Sequence, residues 1–192
     1  MEKKEQLLKA GKVIFSEKGF KDSNVAELAR AAGMATGTFY LYFPSKEALF
    51  MDLFFKENEV LKKSLMASFN PEAEPLEAIQ ALMQQNLQGM AANPILKEWF
   101  NRDIFQKIEE KYREENGLER LDFLYDSFLG IVENWQAEGK LRADIPSDMI
   151  MALFAAIIVI DAHKAEIGYQ YFPKIQDYLT AFVMKGLTDV SS

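Results

Sequence analysis

The chain has 192 residues, enough for one large domain or a small domain joined to a larger one, and 49% of them are apolar, enough to build a core. It contains no cysteine, which excludes disulfides and thiolate metal sites and points to a reducing compartment. The net charge of −7 is unevenly spread: residues 1–50 carry 8 Lys and Arg against 6 Asp and Glu, the remainder 14 against 23, so a mildly basic head that can meet an anionic polymer precedes an acidic body.

The opening stretch, MEKKEQLLKAGKVIF, mixes both charges with apolar residues at helical spacing and lacks the features of a signal peptide. The longest apolar run, Met149 to Ile160, has 12 residues. A membrane span needs about 20, so a soluble, cytoplasmic protein is expected. Strand-like alternation is scarce. The predicted fold is all-α: a three-helix helix-turn-helix unit over residues 1–45, then a helical body over 46–192, about nine helices in total.

The first predicted helix runs from about Lys3 to Lys18, buries Leu7, Ala10, Gly11 and Ile14, and stops at Gly19. The second begins within SNVAELARAAG. There Asn24 accepts from the Glu27 amide while Glu27 reaches back, Val25, Leu28 and Ala29 face inward, and Gly33 closes the helix. The third, within ATGTFYLYFP, is expected to make about two turns before Pro44, and Ser45 caps a fourth that runs to about Phe69.

In the third helix Phe39 and Phe43 are four apart and share a face that packs onto Leu28, Ile14 and Phe15. Thr36, Gly37, Tyr40 and Leu41 lie away from it. Two readings stand at this point, an ordinary aromatic core helix or a helix that enters a major groove. In the second, Thr and Tyr hydroxyls reach phosphates and base edges, Gly37 lets the backbone approach, Leu41 meets a thymine methyl, and Lys46 adds a charge.

Breaks in the body are expected at residues 70–75, 93–94, 115–117, 138–146 and 168–173. Met83, Leu87 and Met90 line one helix, Trp99, Phe100 and Phe105 follow, and Leu121, Leu124, Tyr125, Phe128, Val132 and Trp135 form a long stripe. Such stripes are core by default, although Met and aromatics also suit an adaptable cavity. Asn86, Gln84 and Tyr125 are its polar candidates, and Asp161 and Glu133 are either cation-favouring groups or surface ion pairs. A helix from Pro146 to Gly168 aligns Met149, Ala152, Ala156, Ile160 and His163, and the last helix aligns Ile175, Tyr178, Leu179, Phe182 and Gly186. His163 is the sole histidine and reads as an interior packed or hydrogen-bonded group; no metal site and no cofactor are expected. Without a nucleophile motif or phosphate loop, an enzyme is the weakest reading. A helical interaction protein whose helix-turn-helix is only a fold element is the other alternative to a regulator.

Residues 15–50, FSEKGFKDSNVAELARAAGMATGTFYLYFPSKEALF, resemble the DNA-binding domain of TetR-family transcriptional regulators. Gly19-Phe20, the Ser-Asn cap, ELARAAG, GTFYLYF and SKEAL match in order and spacing, and GKLRADIP is similar to a segment before the penultimate helix of many members. The resemblance implies a ligand-responsive, sequence-specific regulator, a repressor that leaves a palindromic operator when a small apolar effector binds. Base contacts are implied at Thr36, Gly37 and Leu41, phosphate contacts at Thr38, Tyr40, Tyr42 and Lys46, and backbone contacts at Ser23 and Asn24. Lys3 and Lys4 form either a loose basic arm or a solvated charged end. The resemblance further implies an effector pocket, for which Met83, Asn86, Met90, Trp99, Phe100, Phe105, Tyr125 and Phe128 are the candidates. It also implies a homodimer through the last two helices, with Ala152, Ala156, Ile160, His163, Ile175, Tyr178, Leu179 and Phe182 at the interface. One departure stands out. Ala35-Thr36 occupies the place where the family often has Ser-Lys, which removes a side-chain cap and a long cation and implies a distinct operator sequence.

Overall fold

The structure is a computed structural model that describes residues 2–101, 104, 107, 110 and 122–189. Among the described residues there are nine α-helices and no strand: α1 (Glu2–Lys18), α2 (Val25–Ala31), α3 (Thr36–Phe39), α4 (Lys46–Ser68), α5 (Pro75–Ala92), α6 (Asp122–Ala137), α7 (Ser147–Val159), α8 (Lys164–Ile167) and α9 (Lys174–Thr188). Short 3-10 turns cover Leu96–Phe100, Ile160–His163 and Tyr169–Tyr171. The all-α fold with an N-terminal helix-turn-helix is as expected. No helix among the described residues is long and apolar enough to cross a membrane.

The chain forms two compact units, Met1–Ser64 with Asn86–Arg120, and Leu65–Gln85 with Leu121–Ser192. The core of the first gathers Leu7, Ile14, Phe15, Leu28, Phe39, Phe43 and Leu49 with Ile95 and Leu96. A run of aromatic rings threads it. Phe50 meets Phe15 at 5.3 Å and Phe20 at 4.9 Å, both edge-on, and Phe54 stacks on Trp99 at 6.0 Å. Edge-to-face pairs of this kind add to what area burial alone supplies. Gly11 is buried where α4 crosses α1, for a Cβ there would lie 3.1 Å from both Leu49 and Leu53. Ala10 is only half-buried, and Leu8 takes the inward place expected of it.

The second unit is built on Val132, Trp135, Leu141, Ile150, Met184 and Leu187. Trp135 is 1% exposed, and its indole N–H donates to the Pro71 carbonyl at 2.8 Å. The GKLRADIP segment is held from both sides. Gln136 Nε2 donates to the carbonyls of Arg142 (2.9 Å) and Ile145 (2.8 Å), while the Arg142 amide donates to the Leu187 carbonyl at 2.8 Å.

Three local expectations need correction. The third helix is a single turn, Thr36–Phe39, continued to Phe43 by turn hydrogen bonds, because Ala35 supplies no side-chain cap and Pro44 follows closely. The segment 146–168 is not one helix: α7 passes into a 3-10 turn at Ile160 and a four-residue α8 that stops at Gly168, whose φ of +113° no ordinary helix continues. Leu87 is exposed, so it does not share an inward line with Met83 and Met90, both of which are half-buried.

Phe50 touches three other rings and is 1% exposed. Phe50→Ala should lower stability by about 3–5 kcal/mol through lost burial and the cavity left behind. Urea unfolding reads this directly, and an unchanged midpoint would contradict the packing described.

Candidate functional site

The α1–α2 turn is organised around the main chain of Phe20. Its N–H donates to Glu98 Oε1 at 3.2 Å, and its carbonyl accepts from Ser23 Oγ (2.7 Å) and Lys46 Nζ (2.7 Å). Lys46 also donates to the Ser23 carbonyl at 2.8 Å and lies 4.3 Å from the centre of the Phe20 ring. Partial burial pushes its ammonium below the ordinary lysine value, with nearby Glu47 opposing. Two of its three N–H donors are therefore spent inside the protein. Ser23 is 5% exposed and likewise turned inward.

Asn24 caps α2 as expected, its Oδ1 accepting from the Glu27 amide at 2.9 Å. The reciprocal half of the box is absent, because the Glu27 carboxylate pairs with Lys18 instead. Gly33 ends α2 at φ +69°, a left-handed conformation that favours glycine. The Met34 amide then returns to the Ala29 carbonyl at 2.8 Å and sets the angle at which α3 departs. Ser45 Oγ accepts from the Ala48 amide at 3.1 Å and so caps α4, as expected.

Phe39 and Phe43 face the core, 0% and 3% exposed, and pin α3 from behind. Thr36, Gly37, Tyr40, Leu41 and Tyr42 are exposed, Leu41 to 79%, and Thr38 is half-buried. A Cβ added at Gly37 would meet nothing within 4 Å, so its lack of a side chain serves no packing need within the chain. The outer face thus offers two threonines, two tyrosines and a large apolar tip beside a bare stretch of backbone. Lys4 is no loose arm: it pairs with Asp52 at 2.8 Å and lies 5.2 Å from the Phe43 ring centre, within a helix that already includes Lys3.

The candidate effector residues divide between the units. Asn86, Met90, Trp99 and Phe100 belong to the first; Met83, Tyr125 and Phe128 to the second; Phe105 lies outside the described residues. Trp99 and Met90 pack against the first core, while Phe100 is exposed. Met83 accepts from Thr180 Oγ1 at 3.0 Å, Phe128 meets Phe69 edge-on at 5.4 Å, and Tyr125 is exposed. Gln84 and Glu133 are exposed, and Asp161 pairs with Lys164 at 3.0 Å.

Of the candidate interface residues, Ala152, Ala156, His163, Tyr178 and Phe182 are exposed, Phe182 to 68%, while Ile160, Ile175 and Leu179 are half-buried. Tyr178 and Phe182 stack at 6.1 Å on the open side of α9. His163 is not interior as expected; it is exposed and bonds to Glu166 at 2.8 Å, because the helix breaks just before it. Among the described residues no cluster of His, Asp and Glu could hold a metal.

Residues 7–53 match the family of bacterial regulatory proteins described as the tetR family. The uncharacterised HTH-type transcriptional regulator YerO of Bacillus subtilis is 30% identical over 211 residues, a match covering 98% of this chain; the chain spans 64% of YerO's length. The HTH-type transcriptional regulator RutR of Escherichia coli is 27% identical over 154 residues, 80% of this chain and 71% of that protein. Among solved structures, FadR from Bacillus subtilis in complex with stearoyl-CoA shares the fold at a TM-score of 0.58 and 19% identity, over 98% of this chain and 99% of that one.

Lys46→Ala would leave the Ser23 carbonyl without its ammonium and remove one of two donors from Phe20. The expected cost is about 1–3 kcal/mol, read by thermal or urea unfolding. A variant as stable as the wild type would show that the ammonium does not hold this turn.

Proposed function

Because the chain belongs to the TetR family of bacterial regulatory proteins, we propose that it is a ligand-responsive, sequence-specific DNA-binding transcriptional regulator. In this reading residues 1–45 bind DNA and residues 46–192 bind the effector and dimerise. It acts in the cytoplasm as a repressor released from a palindromic operator by a small, largely apolar effector. The observation that carries the reading is the outer face of α3. Phe39 and Phe43 anchor the helix from within, leaving Thr36, Gly37, Tyr40, Leu41 and Tyr42 exposed, Tyr40 with its ring edge-on to Phe39 at 5.5 Å.

Thr36, Gly37 and Leu41 address base edges, while Thr38, Tyr40 and Tyr42 address phosphates. Asn24 marks the α2 start that approaches the backbone; Ser23 and Lys46 shape that approach mainly by holding the turn. The homodimer is supported by the exposed apolar side chains of α7 and α9, among them Met149, Ile158, Tyr178 and Phe182. Two heads related by a twofold axis call for an inverted-repeat operator. Effector binding and operator binding are coupled through two arrangements of residues 46–192 that differ in affinity for the effector, by a reciprocal free energy of about 1–3 kcal/mol.

Selection of bound duplexes from a random pool tests the reading and should return an inverted repeat. Tyr42→Ala should weaken binding to every sequence alike and leave the salt slope nearly unchanged, because it removes a neutral phosphate hydrogen bond and no charge. Thr36→Ala should relax preference at one or two positions, at about 1–3 kcal/mol per lost good contact. No enriched sequence, or one without twofold symmetry, would overturn it.

Phe182→Arg places a charge on the apolar side of α9. Sedimentation should show a dimer for the wild type at micromolar concentration and a monomer for the variant. A wild-type monomer would remove the dimer from the proposal.

A further inference from the structure

One polar pair in the first unit lacks the partner its chemistry calls for. Lys62 of α4 is half-buried, and its ammonium donates to Asn86 Oδ1 of α5. Among the described residues no carboxylate pairs with it. Leu61, next to it in the chain, and Met90, one turn beyond Asn86, both pack against the first core. Gly89 brings α5 close onto α4 here, since a Cβ on it would fall 2.4 Å from Leu61 Cδ1. Removal from water pushes the Lys62 pKa down to about 8.

An ammonium has three N–H donors and accepts nothing, so Asn86 must turn its oxygen toward Lys62. That leaves the Asn86 amide nitrogen facing Met90 Sδ at 3.8 Å, a weak acceptor. Among the described residues, two N–H donors of Lys62 therefore have no acceptor, and Asn86 Nδ2, on the side chain bonded to it, has only a weak one. An acceptor carrying negative charge and several lone pairs completes such a place. Its attraction to a half-buried cation is screened less than at the open surface.

We infer that Lys62 and Asn86 form the polar end of the effector site and select an effector carrying an oxyanion, a carboxylate or a phosphate, on an apolar body. This rests on the effector-responsive reading above. Met90, beside Asn86, supplies adaptable apolar surface for the adjoining part of the ligand. A lysine acts as a point charge on a flexible stem, so either kind of head satisfies it.

Calorimetric titration of the full chain with decanoate, decyl phosphate and decanol, all below their aggregation thresholds, tests the inference. The carboxylate or the phosphate, or both, should bind at least about tenfold more tightly than decanol, the equilibrium value of one charge-assisted hydrogen bond. The two anionic arms distinguish the heads. Lys62→Met should erase the difference while leaving decanol affinity unchanged, and Lys62→Arg should retain it. Equal binding of all three by the wild type, binding of none, or a preference that survives Lys62→Met would overturn the inference. Binding of the selected duplex is measured on the same samples. Loss of the head-group preference with DNA binding intact removes only this inference, whereas failure to select any duplex removes the regulator reading itself.

Discussion

A helix of four residues cannot persist in water on its own hydrogen bonds, and that constraint organises the first unit. Helices much longer than α3 are marginal when isolated, and Ala35 gives α3 no side-chain cap. Its order is borrowed from Phe39 and Phe43, which lie in the same core as Leu28, Phe15 and Phe50. Without Phe39 and Phe43 seated in that core, the outward face of α3 would have no fixed shape to present.

The second demand falls on the backbone. The α1–α2 turn buries peptide groups that must be satisfied, and Phe20 meets the demand through side chains rather than through secondary structure. Glu98 takes its N–H, while Ser23 and Lys46 take its carbonyl. Glu98 stands 78 residues away in sequence, in the Leu96–Phe100 turn that also carries Trp99, the ring stacked on Phe54. That short turn thus holds two elements at once, the α1–α2 turn through a carboxylate and α4 through an aromatic stack.

Much of this was legible in the sequence, for identifiable reasons. The Asn24 cap, the Gly33 stop, the Ser45 cap and the inward pair Phe39 and Phe43 are local signals, each settled within a few residues. What escaped depends on distance or competition. Glu27 has a choice of partners, and Lys18 outbids the Asn24 backbone. Lys46 reads as a surface cation until the turn it crosses is folded. Glu98 and Lys62 sit in unremarkable helical sequence; the α1–α2 turn gives Glu98 its partner, and the approach of α5 to α4 gives Lys62 its own. The break at Ile160 falls at the last residue of the apolar run, where no glycine or proline signals a stop.

The division of labour within α3 also bears on how this protein can change. Its two inward rings carry the packing, and the outward positions carry almost none; at Gly37 there is open space around the backbone. Positions 36, 37 and 41 can therefore be exchanged with little loss of stability, while truncation at 39 or 43 opens a cavity in the core. A lineage or a library can explore new surface chemistry on this helix one residue at a time without passing through unfolded intermediates. Divergence in what the head recognises is, in this architecture, decoupled from the survival of the fold.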